Sequence, residues 1–225
     1  MKYTTLLFDS DDTMLDFFTA EYKALEKCFL EFNLPFNSQI HSLYNAANKE
    51  FWQAFERKEI KKQEIYVGRF KVFLERAKIN FNPEILANKY ENNLSLQFYT
   101  LPGAEELLKS LYQKYNLYVI TNGNHKIQKS RLNGSGLMPY FKGVFTSEQV
   151  GSQKPQKSFF NFVLNNITEK NKSKILIIGD SLTSDILGGI NSGIDTCWYN
   201  PQKQSTSLKP TYIVNSFSEL KNLLQ

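Results

Sequence analysis

Four carboxylates crowd into eight positions of this chain: Asp9, Asp11, Asp12 and Asp16, in the stretch LLFDSDDTMLDF from Leu6 to Phe17. Like charges so close together repel, so a stable fold gathers them only where something positive is meant to sit. Three later stretches carry polar groups of matching character: ITNGN (120–124) with Thr121 and Asn122, GSQKP (151–155) with Lys154, and IIGDSLTSDI (177–186) with Asp180 and Asp185. Carboxylate oxygens without His or Cys neighbours suit Mg²⁺, which takes oxygen ligands and keeps waters and a substrate phosphate oxygen. With a phosphate present, each residue acquires a task. Phosphoryl transfer needs positioning and charge neutralisation more than elaborate covalent chemistry, and Lys154 and the Thr121 hydroxyl supply both. Asp9 can then attack phosphorus, and the resulting aspartyl phosphate splits a hard hydrolysis into two easier steps. Asp11 can protonate the leaving oxygen and later take a proton from the attacking water.

Such a set must be delivered by the ends of strands. Short apolar runs read as buried parallel strands at TTLLF (4–8), LYVIT (117–121), GVFTS (143–147), KILIIG (174–179), DTCWY (195–199) and TYIV (211–214). Helices alternate with them. One is expected to begin at Pro102 and run through PGAEELLKSLYQKY; another lies in SFFNFVLNNI, with Phe159, Phe160, Val163, Leu164 and Ile167 on one face. This alternation predicts an α/β fold, a doubly wound, Rossmann-like parallel sheet. In such a sheet every carboxyl end faces the same rim, so Asp9, Asp11, Thr121, Asp180 and Asp185 are expected to converge there, with Lys154 just before a helix. Between Asp16 and Phe98 the strand signals vanish, and apolar residues recur at helical spacing: Phe18, Tyr22, Leu25, Phe29 and Phe32; Tyr44, Ala47, Phe51 and Phe55; Tyr66, Phe70, Phe73 and Ala77. The expected organisation is a catalytic core of residues 1–16 and 99–225, with an inserted α-helical cap domain of residues 17–98 above the carboxyl ends of the strands.

Composition narrows the function classes. With 225 residues, 41% of them hydrophobic, the chain can bury a substantial core. No apolar run approaches the roughly 20 residues of a membrane helix, and the N-terminus lacks a cleavable apolar leader, so no membrane partner is expected and the location reads as cytoplasmic. Cys28 and Cys197 stand far apart among apolar neighbours, as reduced core thiols would, and with His41 and His125 they share no zinc-like spacing. The net charge of +5 favours anionic ligands in general. No basic run interleaved with aromatics points to nucleic acid.

The four polar segments resemble, in order, the four motifs of the haloacid dehalogenase superfamily of phosphohydrolases. The family pattern DxDx(T/V) matches Asp9, Asp11 and Thr13; its Thr/Ser matches Thr121, its Lys matches Lys154, and its GDxxxxD pair matches Asp180 and Asp185. The resemblance implies that Asp9 is the nucleophile and Asp11 the acid/base. It also implies that Asp9, Asp11 through its main-chain carbonyl, and Asp180 hold Mg²⁺, with Asp185 in support. Asp12 departs from the pattern, standing where the superfamily usually has Gly. The strings FDSDDTMLDF, FWQAFERKEIKKQEIYVGRF and ITNGNHKIQKSRLNGSGLMPYF are similar to one branch, the bacterial pyrimidine 5′-nucleotidases, and GVFTSEQVGSQKPQKSFF and ILIIGDSLTSDILGGINSGIDTCWYNP fit it as well. The resemblance covers nearly the whole chain.

The expected activity is therefore Mg²⁺-dependent hydrolysis of a small phosphorylated metabolite, with pyrimidine nucleoside 5′-monophosphates as the leading class. A sugar-phosphate or phosphoglycolate phosphatase and a phosphomutase are the alternatives within the superfamily. A true dehalogenase attacks carbon without a metal and would have no use for Asp11 and Asp180. A non-catalytic basic interaction module is the reading from another class, and the intact motifs argue against it. Single residues carry separate expectations: Asn122 either binds phosphate or fixes a turn with Gly123, Asp12 and Asp16 cap or turn the chain, and His125 is exposed and non-catalytic. Trp52, Phe55, Arg69 and Phe70 belong to the insertion, where aromatics serve the core more often than a ligand.

Overall fold

The structure, a computed structural model, describes residues 2–225. In chain order its elements are β1 (Thr5–Phe8); α1 (Phe17–Glu31), α2 (Ser38–Glu56), α3 (Lys62–Ala77), α4 (Pro83–Leu94) and α5 (Ala104–Leu111); β2 (Asn116–Thr121), α6 (His125–Gly134), β3 (Gly143–Thr146), α7 (Ser147–Val150) and α8 (Lys157–Asn166); then β4 (Ile175–Gly179), α9 (Leu187–Ser192), β5 (Asp195–Tyr199), β6 (Tyr212–Val214) and α10 (Phe217–Leu224). They form two compact units. One holds the chain up to Phe17 together with Phe98–Gln225; the other is Phe18–Gln97.

The first unit is a six-stranded sheet in the order β3-β2-β1-β4-β5-β6, and every pair is parallel. Successive side chains of a strand point to opposite faces. Thus Leu6 and Phe8 of β1, Leu117 and Val119 of β2, and Leu176 and Ile178 of β4 enter one core, beside Leu107, Leu108 and Leu111 of α5, Leu132 of α6 and Leu220 of α10. Leu7, Tyr118, Ile120, Ile175 and Ile177 enter the other core, beside Phe159, Phe160, Val163 and Leu164 of α8. Burial on both faces is why these strands read as unbroken apolar runs. The chain leaves β1 toward β2 and β3 on one side and later returns to β4, β5 and β6 on the other. The switch point of the doubly wound sheet therefore lies between β1 and β4, the place where such sheets bind ligands.

One expected helix starts later than its sequence suggested. Gly103, at φ 85°, takes the left-handed conformation and serves as N-cap, so α5 begins at Ala104 and not at Pro102. The glycine's missing Cβ, not the proline's fixed φ, sets this boundary.

The second unit is helical. Buried Ala24, Leu25, Cys28 and Phe29 of α1, Tyr44 and Ala47 of α2, and Phe70 and Phe73 of α3 continue the 3.6-residue stripes. Phe18, at the head of the first stripe, is 62% exposed. The helix α4 has no counterpart in the apolar reading, because its buried face alternates Leu86, Tyr90 and Leu94 with the polar Asn93. Its start carries a clear local signal: Asn82 accepts from the N–H groups of Glu84 and Ile85, and Pro83 follows it. Among the described residues, no helix is long and apolar enough to cross a membrane.

Candidate active site

Asp9 follows β1 directly, and its main-chain N–H donates to Ile178 O of β4 at 2.8 Å, so the ladder extends into the polar turn. Asp180 follows β4 directly. Thr13 stitches the two exits together: its hydroxyl accepts from Asp180 N–H at 3.1 Å and lies 3.2 Å from Asp180 Oδ1 and 3.4 Å from Asp9 Oδ2. Trp198 of β5 donates to the Asp180 carbonyl at 2.7 Å and fixes the same turn from the other side. Asp185 returns to the rim from the π-helical turn Leu182–Ile186, where its Oδ2 accepts from Ser181 N–H at 3.2 Å. Gly179 permits that return, because a Cβ there would collide with the Asp185 carboxylate.

Lys154 is buried among these acids. Its Nζ donates to Asp9 Oδ1 at 2.5 Å, to Asp185 Oδ1 at 2.6 Å and to Ile120 O at 3.0 Å. All three of its N–H donors are thereby used. Asn122 secures it from behind: Asn122 Oδ1 accepts from Lys154 N–H at 2.9 Å and its Nδ2 donates to Lys154 O at 3.0 Å. The Asn122 amide thus grips the Lys154 backbone 32 residues away. Thr121 ends β2 at the rim, where its hydroxyl accepts from Gly123 N–H at 3.0 Å and keeps its own proton to donate.

Asp11 stands apart from this group. Its Oδ2 accepts from Gln128 Nε2 at 2.6 Å and its Oδ1 pairs with the Arg131 guanidinium. The Asp11 side chain does not join the acidic cluster of Asp9, Asp180 and Asp185; the metal expectation for Asp11 concerns its main-chain carbonyl. Neither Gln128 nor Arg131 carried a signal in sequence, because polar residues on a helix ordinarily read as solvent-facing. Asp12 occupies the left-handed region at φ 56°, and its Oδ1 accepts from Phe17 N–H at 3.1 Å at the start of α1. Asp16 ties the turn to the returning chain through its N–H and Tyr99 O at 3.0 Å. His125 is half-buried, not exposed, because it opens α6 with its N–H on Glu148 and its ring 3.4 Å from the Thr146 hydroxyl. In the second unit Arg69 is buried, bonded to Asn48 at 2.8 Å and to Glu91, and stacked between aromatic rings.

Two buried carboxylates, Asp9 and Asp185, share the Lys154 ammonium, and the half-buried Asp180 stands beside them, so the charges do not balance. Burial pushes the Asp9 carboxyl up to about 8, with Asp185 adding to the rise and Lys154 opposing it. Burial also holds Asp180 well above the ordinary carboxylate range, and Asp9 and Asp185 reinforce it. For Lys154, burial disfavours the ammonium, but Asp185 and Asp9 outweigh it and hold its pKa above the usual value. Asp9, Asp180 and Asp185 each offer a carboxylate oxygen, all within 4.8 Å of one another. A cluster of oxygen donors alone, with surplus negative charge beyond what Lys154 neutralises, fits a hard divalent cation such as Mg²⁺.

A doubly wound sheet with carboxylates, a lysine and a threonine gathered at its switch point defines an α/β enzyme core. Residues 6–199 match the model of the haloacid dehalogenase-like hydrolases, and the chain belongs to that family, on its phosphohydrolase side. It is 42% identical to the pyrimidine 5′-nucleotidase PynA of Streptococcus pneumoniae, covering 100% of this chain and 98% of that one. It is 34% identical to the pyrimidine 5′-nucleotidase YjjG of Escherichia coli, covering 100% and 99%. The crystal structure of the HAD-hydrolase YfnB of Bacillus subtilis, solved bound to magnesium, superposes with a TM-score of 0.95 at 40% identity over 100% of this chain and 99% of that one.

Proposed function

We propose that this protein is a Mg²⁺-dependent phosphomonoesterase that works through an aspartyl phosphate and takes nucleoside 5′-monophosphates, pyrimidine ones first. The observation that carries the reading is the Asp9 carboxylate, fixed at the switch point by Lys154 at 2.5 Å beside Asp180 and Asp185. Similarity to two pyrimidine 5′-nucleotidases over the full chain supports the substrate class. Asp9 and Asp180 would hold the metal, with Asp185 in support and the Asp11 main-chain carbonyl as the resemblance implies. When bound, the cation neutralises charge on the phosphate and the carboxylates around it.

The residues divide the work as follows. Lys154 engages Asp9 Oδ1, whereas Oδ2 has only the long contact to Thr13, so Oδ2 is the attacking atom. Thr121 donates its hydroxyl proton to a phosphate oxygen, and Lys154 lowers the charge along the line of attack. As the bond from Asp9 to phosphorus forms, the ester bond breaks and its electron pair leaves on the nucleoside oxygen, which takes a proton from Asp11. Water then gives a proton to Asp11 and its oxygen to phosphorus, and the electron pair of the broken acyl phosphate bond returns to Asp9. The products are the nucleoside and inorganic phosphate. Cys28 and Cys197 are buried thiols outside any disulfide, which supports a cytoplasmic location.

The test is phosphate release from a panel of UMP, dUMP, dTMP, sugar phosphates and phosphoglycolate, with Mg²⁺ and with chelator. Pyrimidine nucleotides should lead the panel, and only with the metal. Sugar phosphates in the lead would keep the catalytic assignment and overturn the nucleotide one; no turnover at all would remove both.

A further inference from the structure

The first unit buries two cations, Lys154 and Arg131, and each holds one of the two aspartates at the exit of β1. Lys154, which matches the lysine of the family pattern, holds Asp9. Arg131 holds Asp11, and no motif of the sequence assigned it any part. Burying a guanidinium is costly unless it is paired and hydrogen-bonded, so its partner is informative about its purpose.

Gln128 and Arg131 lie three residues apart on α6, on one face of the helix. The Gln128 amide is itself fixed at both ends: its Oε1 accepts from Ser10 Oγ at 2.7 Å, and its Nε2 donates to Asp11 Oδ2 at 2.6 Å. Gly123 allows this approach, since a Cβ at that position would overlap the Gln128 amide. The Arg131 guanidinium lies 5.6 Å from the centre of the Phe17 ring and reaches the other oxygen, Asp11 Oδ1. Two donors on two different oxygens fix both side-chain torsions of an aspartate that one donor would leave free to swivel. Each carboxylate oxygen has a second lone pair, so the clamp leaves Asp11 able to exchange a proton with water or a leaving group.

We infer that Arg131 and Gln128 are positioning residues for the proton transfers of the reaction and that they act through Asp11. The inference rests on the acid/base reading of Asp11 given above. Proton transfer demands heavy-atom separations of about 2.6–3.2 Å, so a carboxylate that swivels loses rate without losing substrate binding.

A double-mutant cycle with UMP and saturating Mg²⁺ tests it, using Arg131→Met, Gln128→Leu, Asp11→Asn and the pairwise combinations with Asp11→Asn. Each single substitution on α6 should lower kcat by about tenfold to a hundredfold while KM stays within about twofold, part of the 10²–10⁴ that acid/base catalysis supplies. In the Asp11→Asn background the same substitutions should cost less than about twofold more, because groups that act through one another do not add. Losses that multiply in the double variants, or a rise in KM with kcat unchanged, would overturn the inference. Should Arg131→Met fail to fold, the Gln128→Leu arm completes the cycle alone. A full kcat in Asp11→Asn would instead sink the acid/base reading itself, an outcome distinguishable from failure of the clamp.

Discussion

Asn122 closes on the main chain of Lys154 from both sides, accepting from its N–H at 2.9 Å and donating to its carbonyl at 3.0 Å. Lys154 in turn spans Asp9 and Asp185. The register of the ammonium therefore depends on an amide that meets the backbone and not the charge. Replacing Asn122 with Ala should lower kcat by about tenfold or more and destabilise the fold by about 1–3 kcal/mol, the range for losing a partner of buried polar groups. Steady-state kinetics and urea unfolding check both. A raised KM for phosphate esters with kcat and stability intact would favour phosphate binding by Asn122 over this positioning part.

Asp9→Asn exchanges the proposed nucleophile for an isosteric amide in a site with too much negative charge. Turnover should fall by a factor of about 10³ or more, as for other covalent nucleophiles. The fold should survive, and the metal-free variant should melt no lower than the parent, because one of three crowded carboxylates is gone while Asp185 still pairs with Lys154. Activity sites commonly sacrifice stability in this way. Measurable turnover near the parent rate would eliminate Asp9 as the attacking group.

The same crowding predicts a pH dependence with a definite sign. Burial pushes Asp9 up to about 8 and holds Asp180 high as well, so the folded, metal-free chain keeps protons that the unfolded chain has already released above about pH 4. Stability rises with pH only where the unfolded state binds more protons. Here the folded state binds more, so metal-free stability should decline as pH rises from about 4 through about 8. Under the proposed function Mg²⁺ binds the deprotonated cluster alone and should raise the melting temperature most at the alkaline end. Melting curves in chelator at pH 5 and pH 8, repeated with Mg²⁺, decide the matter; a response to Mg²⁺ that is equal at both pH values contradicts it.

Much of this site was readable before any coordinates because its chemistry sits at the ends of apolar strands. Leu6–Phe8, Leu117–Ile120 and Ile175–Ile178 are buried on both faces, so their runs are continuous, and the first polar residue after each, Asp9, Thr121 and Asp180, marks the rim. What stayed hidden was tertiary. The grip of Asn122 on Lys154 joins residues 32 positions apart and leaves no local pattern. Arg131 reads as a surface arginine on a weakly patterned helix, yet it is fully buried because Asp11 meets it from another element. The start of α5 turned on Gly103 adopting a positive φ, which competes with the neighbouring proline signal and wins.

Asp12 shows how a departure from the family pattern can preserve its geometry. The superfamily usually has Gly at this place, and here the backbone sits at φ 56°, where Gly is unstrained and Asp is among the better tolerated alternatives. Asp12 adds what Gly lacks, an acceptor at 3.1 Å for Phe17 N–H at the start of α1. Asp12→Gly removes that bond but relieves the backbone, so its stability should stay within about 1 kcal/mol of the parent. Asp12→Ala removes the bond and keeps the strain, and Asp12→Val adds a β-branched side chain to it, so the two should lose progressively more, about 1–2 kcal/mol and upward. Chemical denaturation of the three variants gives the order. Ala equal to or better than Gly would show that the capping contact, not the left-handed turn, decides which residue stands between Asp11 and Thr13.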